Sequence, residues 1–235
     1  MKKTTFEGAA TTVADVMVAE LEAWGVNLYF GMPGASALPL VDAVRRNRNS
    51  RYIVVRHEQT AALAASAYNK LTGKMAVCLT IAGPGATNLA TGLYDAKEDH
   101  ASVLSLNGQV QTQYAGPGGI QEIDQDAFFR PITVFNNTVA DPTTAVKLLT
   151  RALRYAAVAR GVAQLSLPND IQREPLDATY CERETCLPEV GVAPTDETVA
   201  AAAEAIDGAA RPVILAGFGA MRAAGPVLDL AETIQ

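Results

Sequence analysis

The chain has 235 residues and a mass of 24.7 kDa, enough for one large domain or one and a half ordinary ones. Hydrophobic residues make up 49% and charged residues 19%, which excludes disorder and favours buried sheet over a highly charged helical surface. A formal net charge of -6 argues against the basic face that nucleic-acid binding needs, and no apolar run reaches the roughly 18 residues of a membrane span.

The opening MKKTTFEGAATTVADV has two lysines with no apolar core behind them, so no secretory signal is expected. Thr12 is placed to cap a helix that buries Val13, Val16, Met17, Leu21 and Trp24 and closes at Gly25. Strands are expected at 27–30, 51–56, 75–81, 102–107, 132–135 and 162–167. Between them fall helices through Leu38–Val44, from Glu58 to Gly73, after Gly83-Pro84-Gly85 to about Asp95, and over 143–159. Several strands are continuous apolar runs, the pattern of parallel strands covered on both faces. The expected fold is therefore α/β: a doubly wound, mainly parallel six-stranded sheet with helices on both faces, over residues 1–170.

Residues 108–125 are rich in glycine and glutamine without an apolar run, and a loop of that length in a compact domain is usually functional or mobile. A linker is expected over 171–194, and 195–235 reads as the start of a second Rossmann-like unit. That unit has a helix from Asp196 to Ile206, a strand from Pro212 to Ala216 and a further helix after Gly217-Phe218-Gly219. About 40 residues cannot close such a domain, so the expectation is the front part of something longer. Cys78, Cys181 and Cys186 are odd in number and Cys78 lies in a strand. No disulfide framework and no zinc site is expected, and a reducing cytoplasm fits better.

In a doubly wound sheet ligands collect at the carboxyl ends of the strands. Gly31-Met32-Pro33-Gly34-Ala35, His57-Glu58, Gly83-Pro84-Gly85-Ala86-Thr87-Asn88 and the loop after Asn107 converge there. Glycine and proline after a strand serve as turn chemistry. The second loop also opens a helix whose free N–H groups suit a phosphate, although it has no P-loop lysine. Glu58 reads either as a first-turn glutamate favoured by the helix dipole or as an acid–base carboxyl in an apolar crevice. Gln109, Gln121 and Glu122 lie on or beside the long loop, where solvated polar residues are the plain reading. With His57 and His100 the only histidines, no metal site is expected.

The ordered set HE, SAYNKLTGK, AGPGATN, GLYDAKEDH, NGQV and IQE, with FGMPGASALPLVDA before it and LPNDIQREP after it, resembles the amino-terminal pyrimidine-binding domain of thiamine-diphosphate enzymes. The branch it is most similar to is that of acetolactate synthase and pyruvate oxidase, over roughly residues 11–175. The resemblance implies that Glu58 hydrogen-bonds N1′ of the aminopyrimidine and so drives deprotonation of thiazolium C2. It implies cofactor contacts from Pro33, Gly34, Ala35, Pro84 and Asn88, and places Gln121 beside the reacting centre. It also implies a 2-oxo acid such as pyruvate as substrate, and a homodimer or homotetramer with shared active sites. Mg²⁺ would be held by a separate diphosphate-binding domain, so the 235 residues alone are expected to be inactive. FAD is left open, because GFG after a strand is too weak to assign a flavin.

Departures from the family pattern refine this. Ala35 stands where simple decarboxylases carry Asp or Ser, and no histidine pair accompanies Gln109. Both features favour acyl transfer, ligation or oxidation. Ile120 replaces the phenylalanine usual before Gln121 in acetolactate synthases, and ITVFNNTV also differs, which keeps pyruvate oxidase as an alternative. A non-catalytic interaction domain and a phosphate-binding module are the readings from other classes.

Overall fold

A computed structural model describes residues 2–3, 11–187 and 193–234, and divides the chain into two compact units, Met1–Pro188 and Glu189–Gln235. Residues 1 and 4–10 of the opening segment read for a signal, and residues 188–192 of the expected linker, lie outside the described residues.

The first unit begins with a two-residue strand β1 (Lys2–Lys3), then α1 (Val13–Ala23). Thr12 accepts the Asp15 N–H while Asp15 accepts the Thr12 N–H, a reciprocal capping box that fixes where α1 starts. There follow β2 (Leu28–Gly31), α2 (Leu38–Arg46), β3 (Arg51–Val54), α3 (Glu58–Thr72) and β4 (Ala76–Thr80). The chain continues through α4 (Pro84–Asn88), α5 (Ala90–Glu98), β5 (Val103–Gln109), α6 (Gln125–Phe129) and β6 (Phe135–Thr138). The unit closes with α7 (Ala145–Ala159), β7 (Val162–Pro168), α8 (Asn169–Arg173), β8 (Thr179–Tyr180) and the short α9 (Arg183–Cys186). β8 pairs antiparallel with β1.

The six central strands are all parallel, in the order β3-β2-β4-β5-β7-β6. This is the doubly wound sheet expected from the apolar runs. From β2 the chain steps outward to β3, then crosses back over β2 to β4. The order therefore reverses between β2 and β4, and a crevice opens there at the strand carboxyl ends.

The period-2 alternation of β4 supplies both cores. Val77 and Leu79 face α1, α2 and α7, packing with Met17, Leu21, Leu40, Leu149 and Leu153. Ala76 and Cys78 face α3 and α5, among Ala61, Ala62, Ala65, Leu89 and Leu93. Small residues on that side let the two helices come close, and the tightest point is Gly92. A Cβ there would lie 2.5 Å from Ala62 Cβ and 2.7 Å from the Leu63 nitrogen. Gly92→Ala is therefore expected to destabilise the unit by about 1–3 kcal/mol through overpacking. A urea titration checks this as a lower midpoint at unchanged slope.

Polar links complete the α3–α5 contact. Ser66 Oγ and Lys70 Nζ both donate to Asp95 Oδ2, at 2.6 and 2.8 Å, and Asn69 Oδ1 accepts the Ser102 N–H at 2.9 Å. The segments SAYNKLTGK and GLYDAKEDH thus hold two helices and a strand entry together.

Three local expectations are corrected. The strand expected at 132–135 begins at Phe135, because Ile132 turns inward, 2% exposed, after α6. β6, with a single neighbour at the sheet edge, is free to be polar. The single helix expected after Gly83 is two, broken at Leu89. Cys181 and Cys186 form a disulfide, since the turn of α9 brings their Cα atoms to 5.9 Å. Trp24 Nε1 donates to the Cys181 carbonyl at 2.8 Å, tying this segment to α1.

The second unit contains α10 (Asp196–Asp207), capped by Thr195, and α11 (Ala224–Thr233). Residues 212–216 form no strand: a parallel strand needs a hydrogen-bonded neighbour, and none lies beside them among the described residues. Val213 and Leu215 are exposed.

Among the described residues no helix is long and apolar enough to cross a membrane.

Candidate active site

Two turns flank the reversal point. After β2, Gly31 to Ala35 lead into a 3-10 turn at Ala35–Ala37, and after β4, Ile81 to Gly83 lead into α4. Ser36 Oγ accepts the Ala82 N–H at 2.9 Å and so ties the turns to each other. α8 braces the first turn from behind: Asn169 Nδ2 donates to the Ala35 carbonyl and Gln172 Nε2 to the Ser36 carbonyl, each at 2.8 Å. This is the physical work done by the segment LPNDIQ.

The third contribution comes after β3. His57 Nδ1 accepts the Gln59 N–H at 3.2 Å and caps α3, so Glu58 becomes the first helical residue. Glu58 as a whole is 6% exposed. Asn88 Nδ2 donates to Oε2 at 2.9 Å, while Oε1 accepts no hydrogen bond among the described residues. Oε1 lies over Gly85, where an added Cβ would sit 3.4 Å from it and 2.6 Å from Ile81. Ile81 in turn fills the space over Gly34, whose Cβ would meet it at 2.4 Å. The carboxyl, Asn88, Gly85, Ile81 and Gly34 thus form one contiguous group.

A cleft of about 550 Å³ opens beside the first turn, lined by Ala35, Ser36, Gln109, Tyr114, Ile120 and Gln121, among others. Glu58 does not line it. Gln121 connects cleft and turn: its backbone has φ 68° and rests on Gly83, whose Cβ would meet the Gln121 carbonyl at 2.6 Å. Gly83 itself has φ 54°, where a side chain is strained. Gly83→Ala is expected to cost about 1–3 kcal/mol and to displace Gln121. Faster amide exchange through residues 116–122 is the check. Pro33 and Pro84 are exposed at the rims of their turns.

Residues that sequence reasoning missed lie beneath the site. On the α3–α5 side the sheet turns polar toward its carboxyl edge. Asn107 Nδ2 donates to Thr80 Oγ1 at 2.9 Å, Ser105 Oγ to Asn107 Oδ1 at 3.0 Å, and Gln164 Nε2 to Ser166 Oγ at 2.9 Å. All five are fully buried. The signal was present as i, i+2 polar positions, Ser105/Asn107 and Gln164/Ser166, within otherwise apolar strands. Tyr52, whose hydroxyl donates to the Leu79 carbonyl at 3.1 Å, is shifted above the usual phenol range by burial first, then by Cys78 and Glu58. It is neutral at physiological pH.

The pattern defining the thiamine pyrophosphate enzyme, N-terminal TPP binding domain, matches residues 11–128, half of the chain. The chain belongs to the thiamine pyrophosphate enzymes. It is 40% identical over 225 residues to the Bacillus subtilis protein YdaP, covering 95% of this chain and 39% of that protein. It is 35% identical to the pyruvate oxidase of Lactiplantibacillus plantarum (93% and 37%) and 34% identical to the acetolactate synthase isozyme 1 large subunit of Escherichia coli (95% and 40%). The chain therefore spans about two fifths of the length of these relatives.

The site suits the pyrimidine end of thiamine diphosphate. A buried carboxyl with one oxygen fixed by an amide and one left open is matched to a ring nitrogen, and Ile81, packed against glycines 34 and 85, gives it an apolar neighbour. Among the described residues no three His, Cys, Asp or Glu side chains cluster as a metal site would require.

Proposed function

We propose that this chain is the amino-terminal part of an acetolactate synthase-like enzyme that decarboxylates pyruvate or a similar 2-oxo acid and transfers the resulting acyl unit. The observation that carries the reading is Glu58: buried, half-satisfied, and standing at the reversal of strand order. Thiamine diphosphate, when bound, would supply the nucleophilic carbon and the electron sink that decarboxylation of a 2-oxo acid needs. Glu58 Oε1 shares a proton with the aminopyrimidine N1′, and Asn88 keeps the carboxyl from rotating away. Gly34, Ala35, Pro33 and Pro84 give the backbone wall against the ring. Gln121 presents its amide to the substrate, and Ile120 and Tyr114 make part of the cleft apolar.

Pro33, Ala35, Pro84 and Gln121 are exposed in this chain, which supports a homodimer or homotetramer that completes the cleft from a second protomer. Mg²⁺ and the diphosphate belong, on this reading, to a diphosphate-binding domain outside these residues. FAD is an open part of the same proposal. The second reading to test is an oxidase, since a pyruvate oxidase is among the relatives. The full-length protein with pyruvate, thiamine diphosphate, Mg²⁺ and FAD separates them. Carbon dioxide release with acetolactate formation is expected, oxygen consumption in its place assigns the oxidase, and no cofactor-dependent carbon dioxide release overturns both.

A further inference from the structure

The loop between β5 and α6 is long, glycine-rich and exposed over most of its length, yet it is tied down at three levels. At its base two glutamines cross: Gln109 Nε2 donates to the Ile123 carbonyl and Gln125 Nε2 to the Gly108 carbonyl, both at 2.9 Å. Near its start the Asp170 carboxylate accepts the Thr112 N–H at 3.1 Å. At its tip a single carboxylate gathers the chain. Glu122 accepts the N–H groups of Gly116, of Gly118 at 3.0 Å and of Gly119 at 2.9 Å, while its own N–H donates to the Gly119 carbonyl at 2.9 Å.

Three amides converging on one side chain constitute an anion nest closed by the protein's own carboxylate. The bonds from Gly116 and then Gly119 hold that carboxyl below the usual carboxylate range. The residue before it is Gln121, a non-glycine residue at φ 68°, where isolated backbone is disfavoured. Its carbonyl and Cα seat on Gly83. The turn bond from the Glu122 N–H to the Gly119 carbonyl spans Gln121, and the side-chain clamp is what ties that turn to an exposed stretch with Gly116 and Gly118 also at positive φ.

We infer that Glu122 is a positioning residue: by binding the amides of Gly116, Gly118 and Gly119 it locks the loop tip and fixes Gln121 on Gly83, facing the cleft. The inference rests on the proposed reaction only for what Gln121 does, not for what Glu122 holds.

The test uses the full-length protein with Glu122→Ala, Glu122→Gln, Gln121→Ala and the double variant Gln121→Ala/Glu122→Ala. Amide hydrogen exchange over 113–122 is expected to quicken at least tenfold in Glu122→Ala and by less in Glu122→Gln, which keeps one acceptor oxygen. Exchange in β4 and β5 should be unchanged, reporting an intact sheet. In pyruvate turnover, Glu122→Ala should lower kcat about tenfold in the wild-type background. In the Gln121→Ala background it should lower kcat no more than twofold, because a residue acting through Gln121 has nothing left to position. Unchanged loop exchange overturns the clamp, and equal losses in both backgrounds overturn its action through Gln121. A Gln121→Ala variant that turns over at the wild-type rate removes Gln121 from the reaction and overturns the positioning role with it. Failure of the reaction itself is read separately, from absent cofactor-dependent turnover in the unmutated protein.

Discussion

Glu58→Gln in the full-length protein is expected to lower thiamine-diphosphate-dependent turnover by about 10²–10⁴-fold, the range for losing a positioned acid–base group. Glutamine has the same volume, and its carbonyl can still accept from Asn88 Nδ2 where Oε2 now does. What it cannot do is give and take a proton at the other position. The amide would present an N–H or a neutral oxygen to a ring nitrogen that has to change protonation during the cycle. The fold should barely notice. Glu58 is also a first-turn glutamate of α3, and losing that favourable charge costs about 0.3–1 kcal/mol. A small shift in melting temperature beside a collapse of kcat supports the acid–base role. Turnover within a few-fold of the parent, with the fold intact, sinks it and leaves Glu58 as a helix-dipole residue. Asn88→Ala is the graded companion: the carboxyl remains but loses its brace, so a smaller fall in kcat is expected.

The strands of the first unit were legible because burial on both faces demands apolar residues at successive positions, and AVCLT or VAQLSLP has few other places to go. The same reasoning misplaced the edge strand. Ile132 and Val134 look like strand residues, but Ile132 is buried in the turn after α6; the Val134 N–H donates to the Val162 carbonyl at 2.8 Å, and the paired register with β7 starts at Phe135. An apolar run tells that a segment is buried, not that it is paired. Glu58, Asn88 and the two turns were reachable from sequence because they lie at element boundaries where glycine and proline are read directly, whereas the cap that His57 places on α3 was not. Nor was the cleft. Its wall draws Ser36, Tyr114 and Asn169 from segments more than fifty residues apart, brought together by the sheet order. The crossed glutamines Gln109 and Gln125, and the clamp by Glu122, are hydrogen bonds to backbone atoms. No local pattern of residue types announces them.

The largest stability effect is expected at Glu20, which takes no part in the proposed reaction. Its carboxyl is fully buried between α1 and α7, and burial pushes it up from the ordinary 4.5 to about 8, with the Thr150 hydrogen bond opposing. The hydrogen-bond pattern explains why the neutral form belongs there. The Thr150 hydroxyl has one proton and two acceptors in reach, the Val146 carbonyl at 2.9 Å and Glu20 Oε1. If Glu20 carries a proton it donates to Thr150, whose own proton then goes to Val146 and satisfies both. If Glu20 is ionised, one of those acceptors goes without. Between about pH 4.5 and 8 the folded chain keeps a proton that the unfolded chain has released, so stability falls as pH rises through that window and levels off above it. The whole effect is at most about 5 kcal/mol. Glu20→Gln mimics the protonated acid, with Nε2 donating to Thr150, and has no proton to lose. Urea unfolding should therefore show the variant within about 1 kcal/mol of the parent at pH 5 and about 2–4 kcal/mol more stable at pH 8.5. A gap between the two proteins that stays constant from pH 5 to 8.5 would mean that Glu20 titrates alike in the folded and unfolded chains, and that the α1–α7 contact holds its charge at no cost.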